Sequence, residues 1–358
     1  MLFDPYSTGA LQLANRLVMA PMTRSRASTT HIPNALMATY YRQRATAGLI
    51  ITEGTSPSLN GLGYPRIPGL YDSAQMEAWK PVTEAVHADG GKIFVQLMHC
   101  GRVAHTDNLP AGAEVLGPGT AVCPGEMYTD ALGMQAHSAP RAMTEADIVN
   151  AVAEHAGSAK LAIEAGFDGV ELHGANGYLI EQFLNPLINH RNDGYGGSIE
   201  CRNRFALEVA RATVAAIGAE RVGIRLSPFG AFNGTGKFPE VRAQYLALVK
   251  SLSGVGLLYI HLVDHSTMGA PPVPAEFKRE LRAEFGGVFI LSGGFDRIRA
   301  EHALLENNAD LIAFGRPFLA NPDLVARLRD YAPLNAADTE TFYTAGAKGY
   351  TDYPRLAQ

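Results

Sequence analysis

Short apolar runs recur along the chain, and each is followed by a longer stretch in which apolar and polar positions alternate with helical spacing. Most runs are rich in Val, Ile, Leu or Phe, which is typical of parallel strands buried on both faces. They predict eight strands, at Leu17–Met22, Leu49–Thr52, Lys92–Leu97, Gly169–Leu172, Val222–Leu226, Leu258–Val263, Val288–Leu291 and Asp310–Phe314.

The stretches between the runs predict helices. The clearest is Thr144–Gly166, in which Thr144 and Asp147 have the spacing of a capping box and Gly166 marks the end. In the last helix, Asn321 suits the N-cap and Pro322 the first helical position. The other predicted helices are Ser73–Gly90, Ile199–Ile217, Val241–Leu252, Pro274–Phe285, Arg297–Asn307 and Asn321–Asp330.

Strand–helix alternation repeated about eight times is compatible with few architectures. A doubly wound open sheet would carry a glycine-rich phosphate loop after its first strand, but here that strand ends in Ala20-Pro21-Met22-Thr23. The glycine-rich turns follow the seventh and eighth runs instead, where barrels bind phosphate. We therefore predict an α/β fold, a single (β/α)8 TIM barrel over residues 1–358.

A long stretch from about His99 to Arg141 follows the third strand and contains Gly, Pro and scattered polar residues. Segments of this length in compact domains are usually lids or small subdomains. We predict that residues 99–141 form a capping subdomain over the barrel mouth, with a short hairpin. A solvated insertion without a role remains the alternative.

Polar residues and a glycine stand at the ends of the predicted strands, from the last but one position of a strand to three positions past it. A lone histidine at a strand end is more often structural than catalytic, but several polar residues at equivalent positions favour one site facing one ligand. The candidates are Thr23, Glu53, Gln96, His99, His173, Arg225, His265, Gly294 and Arg316.

The segment Gly169–Tyr178 carries the most specific chemistry. His173 directly follows the fourth predicted strand, and Asn176 and Tyr178 lie on the loop after it. His and Asn can supply two N–H donors to one carbonyl oxygen, and Tyr can deliver a proton at short range. From these residues alone, a plain turn at Asn176 and Gly177 with Tyr178 packed beneath the insertion is equally compatible.

Charge narrows the choice of partners. The formal net charge is −5, from 30 basic and 35 acidic residues, without a basic cluster. Nucleic acid and anionic membranes are therefore unsuitable partners. No secretory signal and no apolar run of about 20 residues is present, and Cys100, Cys123 and Cys201 have no metal-ligand spacing. We expect a cytoplasmic protein with reduced thiols and no metal.

The segment HGANGYLIEQFLNP at residues 173–186, followed by NDGYGGS at 192–198, resembles the active-site signature of the Old Yellow Enzyme family. That family includes N-ethylmaleimide reductase and pentaerythritol tetranitrate reductase. The resemblance covers essentially the whole chain. Its other segments lie in the family's order at Asn15–Arg24, Ile51–Gly54, Gln96–Arg102, Arg225–Pro228, Phe314–Leu319 and Gly349–Pro354.

The resemblance implies an FMN-dependent ene-reductase with NADPH or NADH as hydride donor. FMN would lie across the barrel mouth, with its phosphate on the loops after the last two strands and Arg225 facing its pyrimidine end. The residues implied to bind it are Pro21, Met22, Thr23, Gly54, Gln96, His173, Arg225, Gly293, Gly294, Gly315 and Arg316.

The resemblance also implies how a substrate is held. His173 and Asn176 would bind its carbonyl oxygen, Tyr178 would protonate the α-carbon, and Tyr64 and Tyr343 would form pocket walls. For the two wall tyrosines, ordinary packing is equally compatible. The implied substrates are enones, enals and maleimides, with nitro compounds or nitrate esters in addition, and the implied assembly is a monomer or a homodimer.

The chain departs from the family pattern at three positions. Met98 stands where many relatives have a tryptophan, so the substrate pocket should differ. Asn176 replaces a histidine found in one branch of the family, and Cys201 stands where asparagine is usual. Met98 is therefore expected to contact substrate, whereas Cys201 should affect only local packing.

Three alternative functions are less well supported by the sequence. A reductase or amine dehydrogenase that continues into iron–sulfur domains would carry a cysteine cluster after the barrel, but the last cysteine is Cys201. A lyase or isomerase acting on a sugar phosphate would need a strand-end lysine or a carboxylate cluster, and Glu53 is the only plausible carboxylate. A flavin-binding redox sensor would not need His173, Asn176 and Tyr178 together.

Overall fold

In the computed structural model, which describes residues 1–9 and 11–356, eight parallel strands form one closed barrel. Each strand pairs with the next in the chain, and the last pairs with the first. The predicted barrel and its eight strands are thus confirmed. The strands are β1 Leu17–Met19, β2 Leu49–Thr55, β3 Ile93–Leu97, β4 Gly169–Gly174, β5 Val222–Leu226, β6 Tyr259–Val263, β7 Val288–Ser292 and β8 Leu311–Phe314.

Helices surround the barrel and alternate with its strands. Three of them, α1, α4 and α9, were not predicted. Within the described residues, no helix is both long and apolar enough to span a bilayer. The helices are α1 Ala35–Arg42, α2 Ser73–Ala88, α3 Glu145–Glu164, α4 Leu179–Leu184, α5 Ile199–Ile217, α6 Val241–Val255, α7 Ala275–Glu284, α8 Arg297–Leu305, α9 Arg316–Ala320 and α10 Leu324–Arg329.

The start of α3 matches its prediction. The Thr144 hydroxyl accepts the Asp147 N–H, and the Asp147 carboxylate accepts the Thr144 N–H, which together form a capping box. Arg141, just before the cap, donates to Asp147 at 2.7 Å and to Glu114 at 2.7 Å. The cap therefore also ties the insertion after β3 to the start of α3.

The prediction for the last helix was wrong at its start. Asn321 does not cap α10; its amide nitrogen donates to the Pro317 carbonyl at 2.8 Å, and its amide oxygen accepts the Asn335 N–H at 2.8 Å. The side chain thus joins the end of α9 to the C-terminal segment. The helix itself begins only at Leu324.

Local chemistry sets two strand boundaries that differ from the prediction. β1 ends at Met19 because Pro21, two residues later, has no N–H with which to continue the ladder. Asp310 precedes β8 instead of belonging to it. Its carboxylate accepts the Phe289 N–H at 2.8 Å and pairs with Arg282 at 2.7 Å.

The barrel encloses one apolar cluster and is surrounded by another. The inner cluster includes Phe94, Tyr259 and Ile290. Leu11 and Leu13 of an N-terminal hairpin, Tyr6–Thr8 paired with Leu11–Leu13, pack onto residues at the strand starts and close that end. The larger outer cluster lies between strands and helices. The opposite end, where the strands finish, is left for a ligand.

The insertion after β3 contains the expected hairpin, Glu126–Thr129 paired with Gly133–Ala136, and a short parallel pair, Leu116–Gly117 with Arg141–Ala142. From this segment, Val103 and Cys123 pack in a cluster with Leu62, Met98 and Tyr178. The insertion thus supports one wall of the barrel mouth from behind. That residues 99–141 act as a cap over the mouth stays a prediction.

We expect Gly223→Ala to destabilise the protein by about 1–3 kcal/mol, because an added methyl overpacks a closed core. A Cβ at Gly223, in β5, would lie 2.2 Å from the buried Tyr259 ring. Urea unfolding followed by circular dichroism measures the change. The matched control is Gly157→Ala in α3, where a Cβ meets nothing within 4 Å. It should stabilise by up to about 1 kcal/mol, and equal effects of the two substitutions would contradict the tight packing of the interior.

Candidate functional site

One cavity of about 780 Å³ opens where the barrel strands end. Its volume lies in the range of small-molecule and cofactor sites. Strand ends, the loops after them and the C-terminal segment form its lining. Every residue implied for the site, except Gly54, contributes to it: Pro21, Met22, Thr23, Tyr64, Gln96, Met98, His173, Asn176, Tyr178, Arg225, Gly293, Gly294, Gly315, Arg316 and Tyr343.

A β-bulge moves Glu53 away from this cavity. In the pairing of β2 with β3, Ile51 lies opposite Phe94 but Gly54 lies opposite Gln96, so β2 has one extra residue. Gly54 therefore faces the interior, against the Met98 side chain. Glu53 points out of the barrel, and it is not the cavity carboxylate that its position at the strand end predicted.

Outside the barrel, Glu53 is almost fully buried. It accepts the Arg24 N–H at 3.1 Å and the Tyr41 hydroxyl at 3.3 Å. Burial raises the pKa of its carboxyl to about 7. Glu53 thus anchors the chain just after Thr23.

His99 also lies outside the cavity lining. Its Nδ1 accepts the Gly101 N–H at 3.1 Å, and its ring stacks 6.4 Å from that of His155. Burial lowers the pKa of His99 to about 3 and that of His155 to about 4. Both rings are neutral packing elements behind the wall.

Glycines shape one end of the cavity. A Cβ at Gly293 would lie 2.2 Å from the Asp264 carbonyl oxygen, and one at Gly294 would lie 2.3 Å from Thr267. Both residues have positive φ, +130° and +64°. Only glycine therefore fits this turn. Gly315 and the exposed Arg316 complete this end, and the Arg316 guanidinium bonds to none of the described residues.

Arg225 is the most unusual group in the cavity. Its side chain is 7% exposed, yet among residues 1–9 and 11–356 it forms no hydrogen bond or salt bridge, and its Nε is buried without a partner. Burial lowers its pKa, and the nearby Glu171 carboxylate opposes that change. A buried guanidinium without a partner costs free energy. Its position at the cavity wall therefore indicates a ligand with acceptor atoms.

A buried polar network, which the sequence pattern did not predict, lies below the cavity. Glu171, on β4, accepts the Gln96 side-chain amide at 2.7 Å and binds His261 Nδ1 at 2.9 Å. His261 Nε2 in turn meets the Ser292 hydroxyl at 3.1 Å. Since the amide nitrogen of Gln96 is held by Glu171, its oxygen remains to accept an N–H from a ligand. The signal was present, because Glu171 and His173 occupy alternate positions of one apolar strand.

His173 is held as a neutral donor. Its Nδ1 accepts the Ala175 N–H at 3.3 Å, which leaves the ring proton on Nε2. Burial first, and then the charge of Arg225, lowers the pKa of His173 well below its usual value. Asn176 lines the cavity beside it, and its Oδ1 is buried without a partner among the described residues.

Tyr178 packs edge-on to His173, with ring centroids 4.8 Å apart, and its hydroxyl donates to that of Tyr64 at 3.2 Å. Burial raises the pKa of both phenols, that of Tyr178 well above its usual value. Met98 is almost fully buried against these rings. Tyr64 is thus a partner of Tyr178 as well as part of the wall.

The far wall contains residues that the resemblance did not assign. Phe232, after β5, lies edge-on to His265, after β6, with centroids 4.6 Å apart. His265 lines the cavity, as its strand-end position suggested, and burial lowers its pKa to about 4. Phe232 was missed because it lies six residues beyond the end of β5. Tyr343 forms the outer rim and is 62% exposed.

Comparison with known proteins identifies the family of the chain. Residues 1–335 match the model of the NADH:flavin oxidoreductase / NADH oxidase family. The chain belongs to this family. It is therefore an FMN-dependent oxidoreductase with a nicotinamide hydride donor, an ene-reductase of the Old Yellow Enzyme type. The resemblance seen in the sequence is confirmed, and the sugar-phosphate lyase is excluded.

Relatives and solved structures cover nearly the whole chain. A putative 12-oxophytodienoate reductase 3 of Oryza sativa subsp. japonica is 44% identical, over 100% of this chain and 93% of its own. A probable flavin mononucleotide-dependent alkene reductase of Leishmania infantum is 40% identical, over 99% and 97%. Among solved structures, morphinone reductase has a TM-score of 0.95 at 43% identity, over 99% and 96%. An Old Yellow Enzyme homologue from Zymomonas mobilis has 0.94 at 40%, over 99% of each chain.

The chemistry of the residues that line the cavity fits FMN. Among the described residues, the N–H groups of the glycine turn and the Arg316 guanidinium have no hydrogen-bond acceptor, and such donors suit a phosphate. The unpartnered Arg225 suits the electron-rich pyrimidine end of a flavin, and the free oxygen of Gln96 suits the N–H of that ring. These donors and acceptors are compatible with a flavin mononucleotide.

We expect Arg225→Gln to weaken FMN binding about tenfold to a hundredfold, the range for losing a hydrogen bond from a charged group. Titration of the FMN-free protein, followed by quenching of flavin fluorescence, measures the Kd. Without FMN, the variant should be no less stable than the parent, because it removes a buried charge that lacks a partner. The control is Arg211→Gln on the exposed face of α5. Unchanged FMN affinity in Arg225→Gln would remove Arg225 from the site.

Proposed function

We propose that the protein reduces the C=C bond of α,β-unsaturated carbonyl compounds, with NADPH or NADH as the source of hydride. The observation that carries the proposal is that His173, Asn176 and Tyr178 all line one cavity, with the His173 and Tyr178 rings 4.8 Å apart. Two of these groups suit a carbonyl oxygen, and the third suits a carbon that must be protonated. Enones, enals and maleimides are the substrates with this pattern.

A bound FMN would supply the redox chemistry, the transfer of hydride from the nicotinamide to the β-carbon of the substrate. The contribution of this chain is to hold the reactants and the proton. Pro21, Met22 and Thr23 would border the ring on the β1 side, and Gln96 and Arg225 would meet its polar edge. A fixed positive charge there favours a reduced flavin that carries negative charge.

His173 and Asn176 would hold the substrate's carbonyl oxygen as negative charge develops on it. Because the pKa of His173 is well below its usual value, the ring donates as a neutral imidazole across the working pH range. Each donor aimed at developing charge lowers the activation barrier by on the order of 3 kcal/mol. The unpartnered Oδ1 of Asn176 could also accept from the carboxamide of a nicotinamide.

Tyr178 would give its hydroxyl proton to the α-carbon. The products then balance: hydride on the β-carbon, proton on the α-carbon and a phenolate on Tyr178 that solvent reprotonates. The Tyr64 hydroxyl, 3.2 Å away, is placed to donate to that phenolate once it forms. The raised pKa of Tyr178 keeps the proton available until the carbon is basic enough to take it.

The visible spectrum of the purified protein tests the reaction class. We expect a flavin band that bleaches when NADPH or NADH is added without oxygen and recovers when 2-cyclohexenone follows. Bleaching without recovery would remove this enone and direct attention to maleimides and nitro compounds. A colourless protein that also fails to take up added FMN would contradict the proposal.

Tyr178→Phe should separate the two half-reactions. Bleaching by the nicotinamide should stay within a few-fold of the parent rate, whereas recovery with 2-cyclohexenone should slow by about a hundredfold or more, the usual loss for a general acid. Stopped-flow absorbance without oxygen measures both rates. Tyr128→Phe, on the exposed hairpin, is the control. If recovery kept its parent rate in Tyr178→Phe, the proton would have to come from elsewhere.

A further inference from the structure

The turn that carries Asn176 has an uncommon backbone. Asn176 has φ +59° and Gly177 has φ +77°, so two successive residues are left-handed. Asparagine tolerates this region better than most residues, but the conformation is still costly for a residue other than glycine. The surrounding structure must therefore hold the turn in place.

Side chains bind each of the four main-chain polar groups of this turn. A buried turn outside a helix or sheet must find such partners for its N–H and C=O groups. At Asn176, the N–H donates to Ser227 Oγ at 2.9 Å and the carbonyl accepts from Asn233 Nδ2 at 2.7 Å. At Gly177, the N–H donates to Glu181 Oε2 at 2.7 Å and the carbonyl accepts from Gln182 Nε2 at 2.8 Å.

Two of these four bonds depend on the carboxylate of Glu181, which is 2% exposed on α4. Glu181 accepts the Gly177 N–H directly. It also accepts the Ser227 hydroxyl at 3.0 Å. Because the one proton of that hydroxyl goes to Glu181, the Ser227 oxygen is left to accept the Asn176 N–H. Both N–H groups of the turn are thus fixed by one carboxylate.

We propose that ionised Glu181 is a positioning residue for the reduction: it holds the Asn176–Gly177 turn so that the Asn176 amide stands beside His173, ready for the carbonyl oxygen. The role of Asn176 in this inference rests on the proposed function. The anchoring of the Asn176–Gly177 turn by Glu181 does not depend on the proposed function.

The surroundings make this carboxylate sensitive to pH. Tyr245, on α6, donates its hydroxyl at 3.1 Å and is the titratable group in contact with Glu181. Within the described residues, no cation pairs with it. Burial raises the pKa of Glu181 to about 7, against the three donors, which lower it. As pH falls through that value, the carboxyl gains a proton and can no longer accept from all three donors, so the turn loosens.

Glu181→Gln tests the role at nearly constant shape. Single-turnover reoxidation of the reduced holoenzyme by 2-cyclohexenone, at several enone concentrations, separates the apparent Kd from the limiting rate. In the parent, we expect the Kd to rise about tenfold between pH 8 and pH 5.5, and Glu181→Gln should show the weaker Kd throughout. Glu164→Gln, exposed on α3, should follow the parent. A Glu181→Gln variant with the parent's Kd and pH profile would overturn the proposal.

Tyr245→Phe gives a second test that keeps the carboxylate. Removing one donor should favour the protonated form, so the midpoint of the pH profile should move to higher pH than in the parent. A residue that merely filled space would not move this midpoint. A midpoint that stays at the parent value, or moves to lower pH, would contradict the assigned titration.

Hydrogen exchange separates this inference from the proposed function. If the parent holoenzyme failed to reduce 2-cyclohexenone at any pH, the proposed function would fail for this substrate, and exchange would still decide the role of Glu181. Mass spectrometry should show faster amide exchange in residues 174–179 of Glu181→Gln than in the parent at the same pH. Glu164→Gln should match the parent. Equal exchange in all three proteins would overturn the hold on the turn.

Discussion

Closure of the strand ladder is the constraint on which the site depends. In a closed barrel, every strand has two neighbours, so no single strand can shift its register without disturbing the ring. Arg225, for example, lies in register with His173 on one side and His261 on the other. Chemistry-bearing side chains that are far apart in sequence are thereby held on one rim, with little freedom to separate.

The same closure sets a cost for polar groups in the interior. The polar side chains below the cavity are buried, so each of them needs a partner from the chain or from the ligand. Gln96, Glu171, His261 and Ser292 are linked to one another by hydrogen bonds. Arg225 does not take part, and its buried charge is left for the ligand. The interior thus contains a linked network, in which the Gln96 amide oxygen stays available to a ligand, and a rim at which Arg225 has no partner among the described residues.

Much of the fold was readable from the sequence because buried parallel strands leave a strong apolar signal. The ends of the apolar runs predicted the strand-end residues, and Thr23, His173 and Arg225 do line the cavity. Glu171 was not predicted because it lies inside β4 and not at its end. Glu53 was predicted in the wrong place because a bulge leaves no mark in the apolar pattern. The anchoring of the Asn176–Gly177 turn needs contacts between separate elements, which no local pattern contains.

The bulge in β2 has an electrostatic consequence. With regular pairing, the residue opposite Gln96 would be Glu53, and its carboxylate would project into the barrel beside Glu171. A second carboxylate would then lie beside Glu171 below the cavity, and both would oppose negative charge on a bound ligand. The extra residue replaces that side chain with the hydrogen of Gly54. A single inserted amino acid thus keeps a second negative charge out of the cavity floor.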